Sequence, residues 1–300
     1  MKPDKASRTA VFMALFRALE SQRRPGRRLF YDPLAKLYLS PMLRFVAAMS
    51  KIALVHRVVT GIIDRKWAGA RTSGVARTRL IDEAVCKALG DGARQVVLLG
   101  AGFDSRAYRI PGMDSVAVFE VDHPATSALK RKLTRNALGS VPTNVRFVQT
   151  DFNRQALATV LEDAGYSSSL QTVFVWEGVS NYLTSEAVDS TLLFCSRAAP
   201  KSQLVFTYID ERILTDPQSF FGAEKIVKLL SDVGEKWTFG LDPQQLEYYL
   251  KQRGLKLEAD LSAAQYRERY FKEGSLRMRG YEFYRVAIAT VEKKRRRSER

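Results

Sequence analysis

The chain has 300 residues, 46% of them hydrophobic, and carries 48 Lys and Arg against 32 Asp and Glu, a formal net charge of +16. That length and apolar content suit one enzyme-sized domain with additions, with no fixed-period repeat or long low-complexity stretch. Its two cysteines, Cys86 and Cys195, exclude a disulfide framework, offer no metal-ligand spacing, and read as buried small apolar residues in a reducing cytoplasm.

At the amino end, the apolar run Thr9–Phe16 is interrupted by Arg17 and followed by RRPGRR, so it is not a secretory signal. TAVFMALFRALES instead predicts an amphipathic helix stopped by Pro25-Gly26. A second apolar region, Pro41 to Ile63, is punctuated by Arg44, Lys51, His56 and Arg57, too often for a bilayer span. Its default reading is a set of amphipathic helices packed over the core; the alternative is peripheral contact with a membrane surface. Residues 1–74 are thus expected to form a helical cap, and 75–291 the core. A helix over 75–90 leads to strands near 95–99, 116–121, 145–148, 172–176 and 203–208, with helices between, such as Ser185–Ala198. Residues 212–240 read as an insertion after the fifth strand, with a helix at Ala223–Val233. Asp242–Arg253 reads as a helix with Asp242 as N-cap and Pro243 in its first turn. Leu255–Leu261 and Tyr284–Val291 are the last strands, and 292–300 is a basic tail without the aromatics of a single-strand binding groove. The alternation predicts an α/β, Rossmann-like, doubly wound, mostly parallel sheet, with its ligand beyond the carboxyl ends of the strands. Gly100, Asp122, Asp151, Glu177 and Tyr208 fall at those ends.

The stretch VVLLGAGFDSRAYR, residues 96–109, ends an apolar strand in Gly100-Ala101-Gly102, and a carboxylate, Asp122, follows about 20 residues on, the spacing of a ribose contact. A dinucleotide fingerprint needs a third glycine, but Ser105 stands there. Asp104 would also repel a diphosphate, and it suits a cationic nucleoside such as S-adenosylmethionine.

Five segments in order, VARTRLIDEAV, LLGAGFDSRAYR, VFEVDHP, VQTDF and VFVWEGVSNYLT, make the chain resemble the leucine carboxyl methyltransferase-like branch of class I S-adenosylmethionine-dependent methyltransferases. Within that branch it is similar to the bacterial, mycobacterial-type group, over roughly residues 8–290. In this reading Gly100 and Gly102 touch the methionine part of the cofactor, and Asp122, preferred to Glu120, accepts from the ribose. The resemblance implies that Asp151 and Phe152 hold the adenine, a helix N-cap being the plainer role for Asp151. It also implies Glu177 near the cofactor's cationic end and Arg77 on its carboxylate, with Arg79 the alternative and Arg17 a second contact.

Methyl transfer is an in-line displacement, so positioning supplies much of the rate. A carboxylate acceptor needs no base; a hydroxyl does, and His123, Tyr182 and Tyr208 are the candidates, with His56 further off. His123 beside Asp122 and Pro124 also has a purely structural reading. The expected activity is O-methylation of a small-molecule or peptide acceptor, anionic and partly hydrophobic, under a roof of residues 9–63 and 212–240. A nucleic-acid methyltransferase is disfavoured: WEGVSNYL is not the Pro-Pro-aromatic loop of amino-methylating enzymes, and there is no Pro-Cys nucleophile. A non-catalytic protein that binds the cofactor is the third class.

Overall fold

The computed structural model describes residues 8–152 and 155–292; the expected basic tail lies, apart from Glu292, outside them. Seven strands form one sheet: β1 (Gln95–Leu99), β2 (Ala117–Asp122), β3 (Val145–Gln149), β4 (Thr172–Trp176), β5 (Gln203–Ile209), β6 (Leu255–Ser262) and β7 (Tyr284–Val291). Their order is β3-β2-β1-β4-β5-β7-β6, and β7 runs antiparallel to both its neighbours. The central strands are mostly apolar and buried because both faces are covered. In β1, Val97 and Leu99 join one core with Phe119, Phe174 and Trp176, while Val96 and Leu98 join the other with Val118, Val173 and Val175. From β1 the chain goes to β2 on one side, and β4 pairs on the other. That reversal opens a crevice at the carboxyl ends of these strands, where ligands of such sheets bind.

The helices are α1 (Arg8–Ser21), α2 (Pro41–Met49), α3 (Ala53–Lys66), α4 (Ala70–Gly90), α5 (Arg106–Arg109), α6 (Pro124–Leu138), α7 (Leu157–Asp163), α8 (Ser185–Ser196), α9 (Arg212–Thr215), α10 (Ala223–Val233), α11 (Leu246–Lys251) and α12 (Ala263–Phe271). Helix α4 begins at Ala70, five residues before the expected 75, behind its N-cap Gly69, whose φ of +83° and tight seat decide the start: a Cβ there would lie 2.4 Å from the Gly280 carbonyl oxygen. The helix expected over 242–253 is shorter. Asp242 Oδ1 accepts from the Gln244 N–H and so caps a turn, and α11 starts only at Leu246. Cys195 is buried as expected, but Cys86 is exposed, on the outer side of α4 beside Lys87.

The amino-terminal helices do not pack alike. Helix α1 buries Ala14, Leu15, Phe16, Ala18 and Leu19. Helices α2 and α3 bury Ala47, Thr60 and Ile63 and pack Leu43 and Val59 against the same cluster, while Met42, Phe45, Leu54, Val58 and Ile62 stay exposed. No helix among the described residues is long and apolar enough to cross a membrane.

Candidate functional site

A cavity of about 550 Å³ lies over the carboxyl ends of β1, β2 and β4. Its far walls are α1, the start of α4, and the segment Ile226–Trp237 from the expected insertion. Helices α2 and α3 contribute nothing to the lining, which passes from Arg17 to Trp67, so the roof is smaller than expected from residues 9–63.

Gly100 and Gly102 form the turn after β1. Gly100 has φ +67°, and a Cβ there would sit 2.2 Å from Val179 Cγ2, so only glycine fits. The Asp122 carboxylate closes this turn: one oxygen accepts the Gly102 N–H and the other accepts the His123 N–H at 2.6 Å. Burial pushes the Asp122 pKa up against these bonds. Each oxygen keeps a second lone pair for a ligand hydroxyl. Glu120, two residues earlier, is fully buried against Lys130 at 2.9 Å and lies outside the cavity lining.

Around the other end runs a network of paired charges. Arg77 Nε meets Glu177 Oε1 at 2.8 Å, and Arg106 Nη1 meets Glu177 Oε2 at 2.8 Å. Arg106 also holds Asp104 at 2.5 Å and Asp82 at 2.8 Å, and Arg109 shares Asp82 at 2.6 Å. Arg17 pairs with Asp32 at 2.9 Å and donates to the Phe103 carbonyl. Asp32 also accepts from Ser105 Oγ, which fastens the amino-terminal segment to the turn after β1. Four arginines thus meet four carboxylates. Burial pushes the Asp104 and Glu177 carboxyls up, but the neighbouring arginines outweigh it, holding Asp104 down to about 2 and Glu177 below its usual range. Arg77 further lies 4.7 Å from the Tyr284 ring centroid.

Asp151 and Phe152 follow β3 on the cavity rim. Asp151 is not a helix N-cap, since α7 begins at Leu157 behind Ala156. Arg79 faces away: it pairs with Glu83 at 2.8 Å and its side chain is 42% exposed. His123 is the N-cap of α6, with Nδ1 accepting from the Ala125 N–H at 3.4 Å. Tyr182 lines the cavity, and burial pushes its hydroxyl up to about 12. Tyr208 is not in the cavity. Its ring is buried under the sheet and its hydroxyl donates to Asp260 Oδ2 at 2.9 Å, so it is withdrawn as a candidate base. His56 sits on α3, away from the lining. Among the described residues no group of three or more His, Cys, Asp or Glu is arranged to hold a metal ion.

The structure adds residues that the sequence reading missed. Arg106 sits inside the DSRAYR motif, but its convergence with Asp82, Asp104 and Glu177 comes from three separate elements. Trp67, Trp237, Tyr281 and Tyr284 wall the outer cavity, and Glu235 there accepts from Thr9 Oγ1 at 2.5 Å. The aromatic-rich stretch Tyr281–Tyr284 at the start of β7 was a legible signal; Glu235 had none.

The family model for leucine carboxyl methyltransferase matches residues 10–195. A Bacillus subtilis protein named putative S-adenosyl-L-methionine-dependent methyltransferase is 34% identical over 200 residues, covering 66% of this chain and 65% of its own length. A Frankia alni protein of the same designation is 33% identical over 251 residues, 80% of this chain and 76% of its own. A third, from Mycolicibacterium smegmatis, is 38% identical over 141 residues, 47% of each. The match therefore spans just under two thirds of the first relative and about half of the third. Two solved structures share the fold. One is a DUF574-family protein from Streptomyces avermitilis, with TM-score 0.57, 13% identity, and 92% and 96% of the two chains covered. The other is a putative methyltransferase from Thermobifida fusca, with TM-score 0.56, 14% identity, and 96% of each chain covered.

Proposed function

The chain belongs to the leucine carboxyl methyltransferase family, and from that premise we propose that it transfers the methyl group of S-adenosylmethionine to an oxygen of a small-molecule or peptide acceptor, a carboxylate before a hydroxyl. The residues present suit the cofactor. Its cationic nucleoside would meet Asp122 at the ribose, Asp151 and Phe152 at the adenine, and the Gly100–Gly102 turn at the methionine chain. The balanced network of Arg77, Glu177 and Arg106 offers both a cation and an anion to an amino-acid end. When bound, the cofactor supplies an electrophilic methyl group on a positively charged sulfur. The protein's part is to hold an acceptor oxygen in line with it and to keep water out.

The choice of a carboxylate rests on one observation: none of the three candidate bases is available as a base. His123 Nδ1 accepts from the Ala125 N–H at the head of α6, so that lone pair is turned to the helix and not to the acceptor. Tyr182, raised to about 12, is a hydroxyl donor near neutral pH, and Tyr208 is buried on Asp260. A carboxylate needs none of them. A second reading rests on Glu235, a carboxylate on the aromatic half of the cavity, which would take the proton of a hydroxyl acceptor. The product's chemistry tests the choice. A methyl ester is released as methanol by mild alkali. An alkali-stable ether whose formation is abolished in Glu235→Gln would replace the first reading with the second.

A further inference from the structure

Among the described residues, sixteen large apolar side chains are exposed, and seven of them fall between residues 42 and 62. Helix α2 turns out Met42, Phe45 and Met49 at 73%, 66% and 38% exposure. Helix α3 turns out Leu54, Val58 and Ile62, spaced by four so that they form one stripe, and Ile52 joins the two helices. Arg57 and Arg65 run beside that stripe, displaced by three positions. Lys51, Arg57 and Arg65 have no carboxylate partner among the described residues; the one acid of these helices, Asp64, is engaged by Arg71 at 2.5 Å. Arg23, from the basic loop at 23–28, adjoins α3, adding to burial in depressing the pKa of His56.

We propose that the α2–α3 segment is a docking surface for an anionic lipid bilayer, its apolar side chains entering the headgroup boundary and its cations meeting the lipid charge. Unburied apolar side chains in a bordering field of cations have the composition of an interfacial helix. Self-association through this face would set Lys51, Arg57 and Arg65 against their own copies with no acid to answer them. Nucleic acid would answer the charge but leave the seven apolar side chains uncovered. No residue of the segment lines the cavity, so the surface is separate from the methyl-transfer site.

The full chain is sedimented with phosphatidylcholine vesicles and with vesicles in which about a third of the lipid is phosphatidylglycerol. Binding is expected only to the second. Arg57→Ala with Arg65→Ala should weaken it about thirtyfold, at about 1 kcal/mol per cation near the surface. Phe45→Glu with Ile62→Glu should weaken it by about tenfold or more, with unchanged melting temperature because both side chains are exposed. Phe45→Trp, a mild change, should show a blue-shifted emission with the anionic vesicles beyond that of the native tryptophans. Absence of binding, equal binding to both vesicles, affinity unchanged in both double variants, or no blue shift would each overturn the proposal. A dimer in light scattering that Ile62→Glu dissociates would overturn it in favour of a subunit interface.

Discussion

Replacing Asp104 with Asn removes one negative charge from beneath the cavity and keeps the shape of the side chain. In the native protein burial raises this carboxyl's pKa, but Arg106, Lys130 and Arg17 outweigh it and hold the value down to about 2, against 3.8 for a free aspartate. That gap corresponds to about 2 kcal/mol, at about 1.4 kcal/mol per pH unit. The folded value is the lower one. The stabilisation is therefore complete above the unfolded pKa of 3.8 and is lost as pH falls through about 2. Asp104→Asn should cost about 2 kcal/mol near neutral pH and roughly half that at about pH 3. Arg106 keeps Asp82 and Glu177 in the variant, so the fold survives and the loss is measurable. Urea unfolding of both proteins at the two pH values measures it. A cost that is absent, or equal at both pH values, would refute the charge network as the source of the stabilisation.

Four further outcomes are expected. Asp122→Ala should weaken S-adenosylmethionine binding by about 1–3 kcal/mol in calorimetry, because the Gly102 and His123 amides lose their acceptor along with the ribose; native affinity in that variant would remove Asp122 from the site. Gly100→Ala should destabilise the protein by at least about 1–2 kcal/mol, since a left-handed residue gains a Cβ aimed at Val179; an unchanged thermal midpoint contradicts that packing. His123→Ala should cost about 0.5–1 kcal/mol through the lost cap of α6 and leave turnover within an order of magnitude; a collapsed rate would restore His123 as a base. Titration with a nicotinamide dinucleotide should give no heat, and tight binding of it in place of S-adenosylmethionine would overturn the cofactor assignment.

The sheet was legible because its central strands are buried on both faces and so read as unbroken apolar runs. QVVLL and TVFVW match β1 and β4 to the residue. Local turn chemistry was legible too, in the glycines after β1 and the acid after β2. Tyr208 was misread for a reason of geometry. Strand β5 runs one residue further, to Ile209, and Tyr208 points to the face where Asp260 of β6 waits. A pleated strand offers alternate residues to opposite faces, and only the sheet order says which neighbours each face meets. The α11 error was of another kind. An Asp-Pro pair starts turns as readily as helices, and here the Gln244 amide took the Asp242 carboxylate first.

What no local pattern carries is a partner brought from far along the chain. Asp82, Asp104 and Glu177 come from a helix, a turn and a strand end, and Arg106 touches all three. An arginine buried without them would be prohibitively costly, so the four positions constrain one another although they are scattered through the sequence. The same reasoning supports the proposed roles of Arg77 and Glu177 toward a ligand. Each is already neutralised by the other at 2.8 Å, and a bound ammonium and carboxylate can exchange into that pair without leaving a charge unpaired. A site built this way is preorganised before the ligand arrives. Glu177→Gln should therefore harm stability as well as affinity, because it removes the negative charge that Arg77 and Arg106 share and puts an amide NH2 against one of the two guanidinium groups. A variant with native stability and lost affinity would show that Arg77 has another partner and that the pair does not hold the site together.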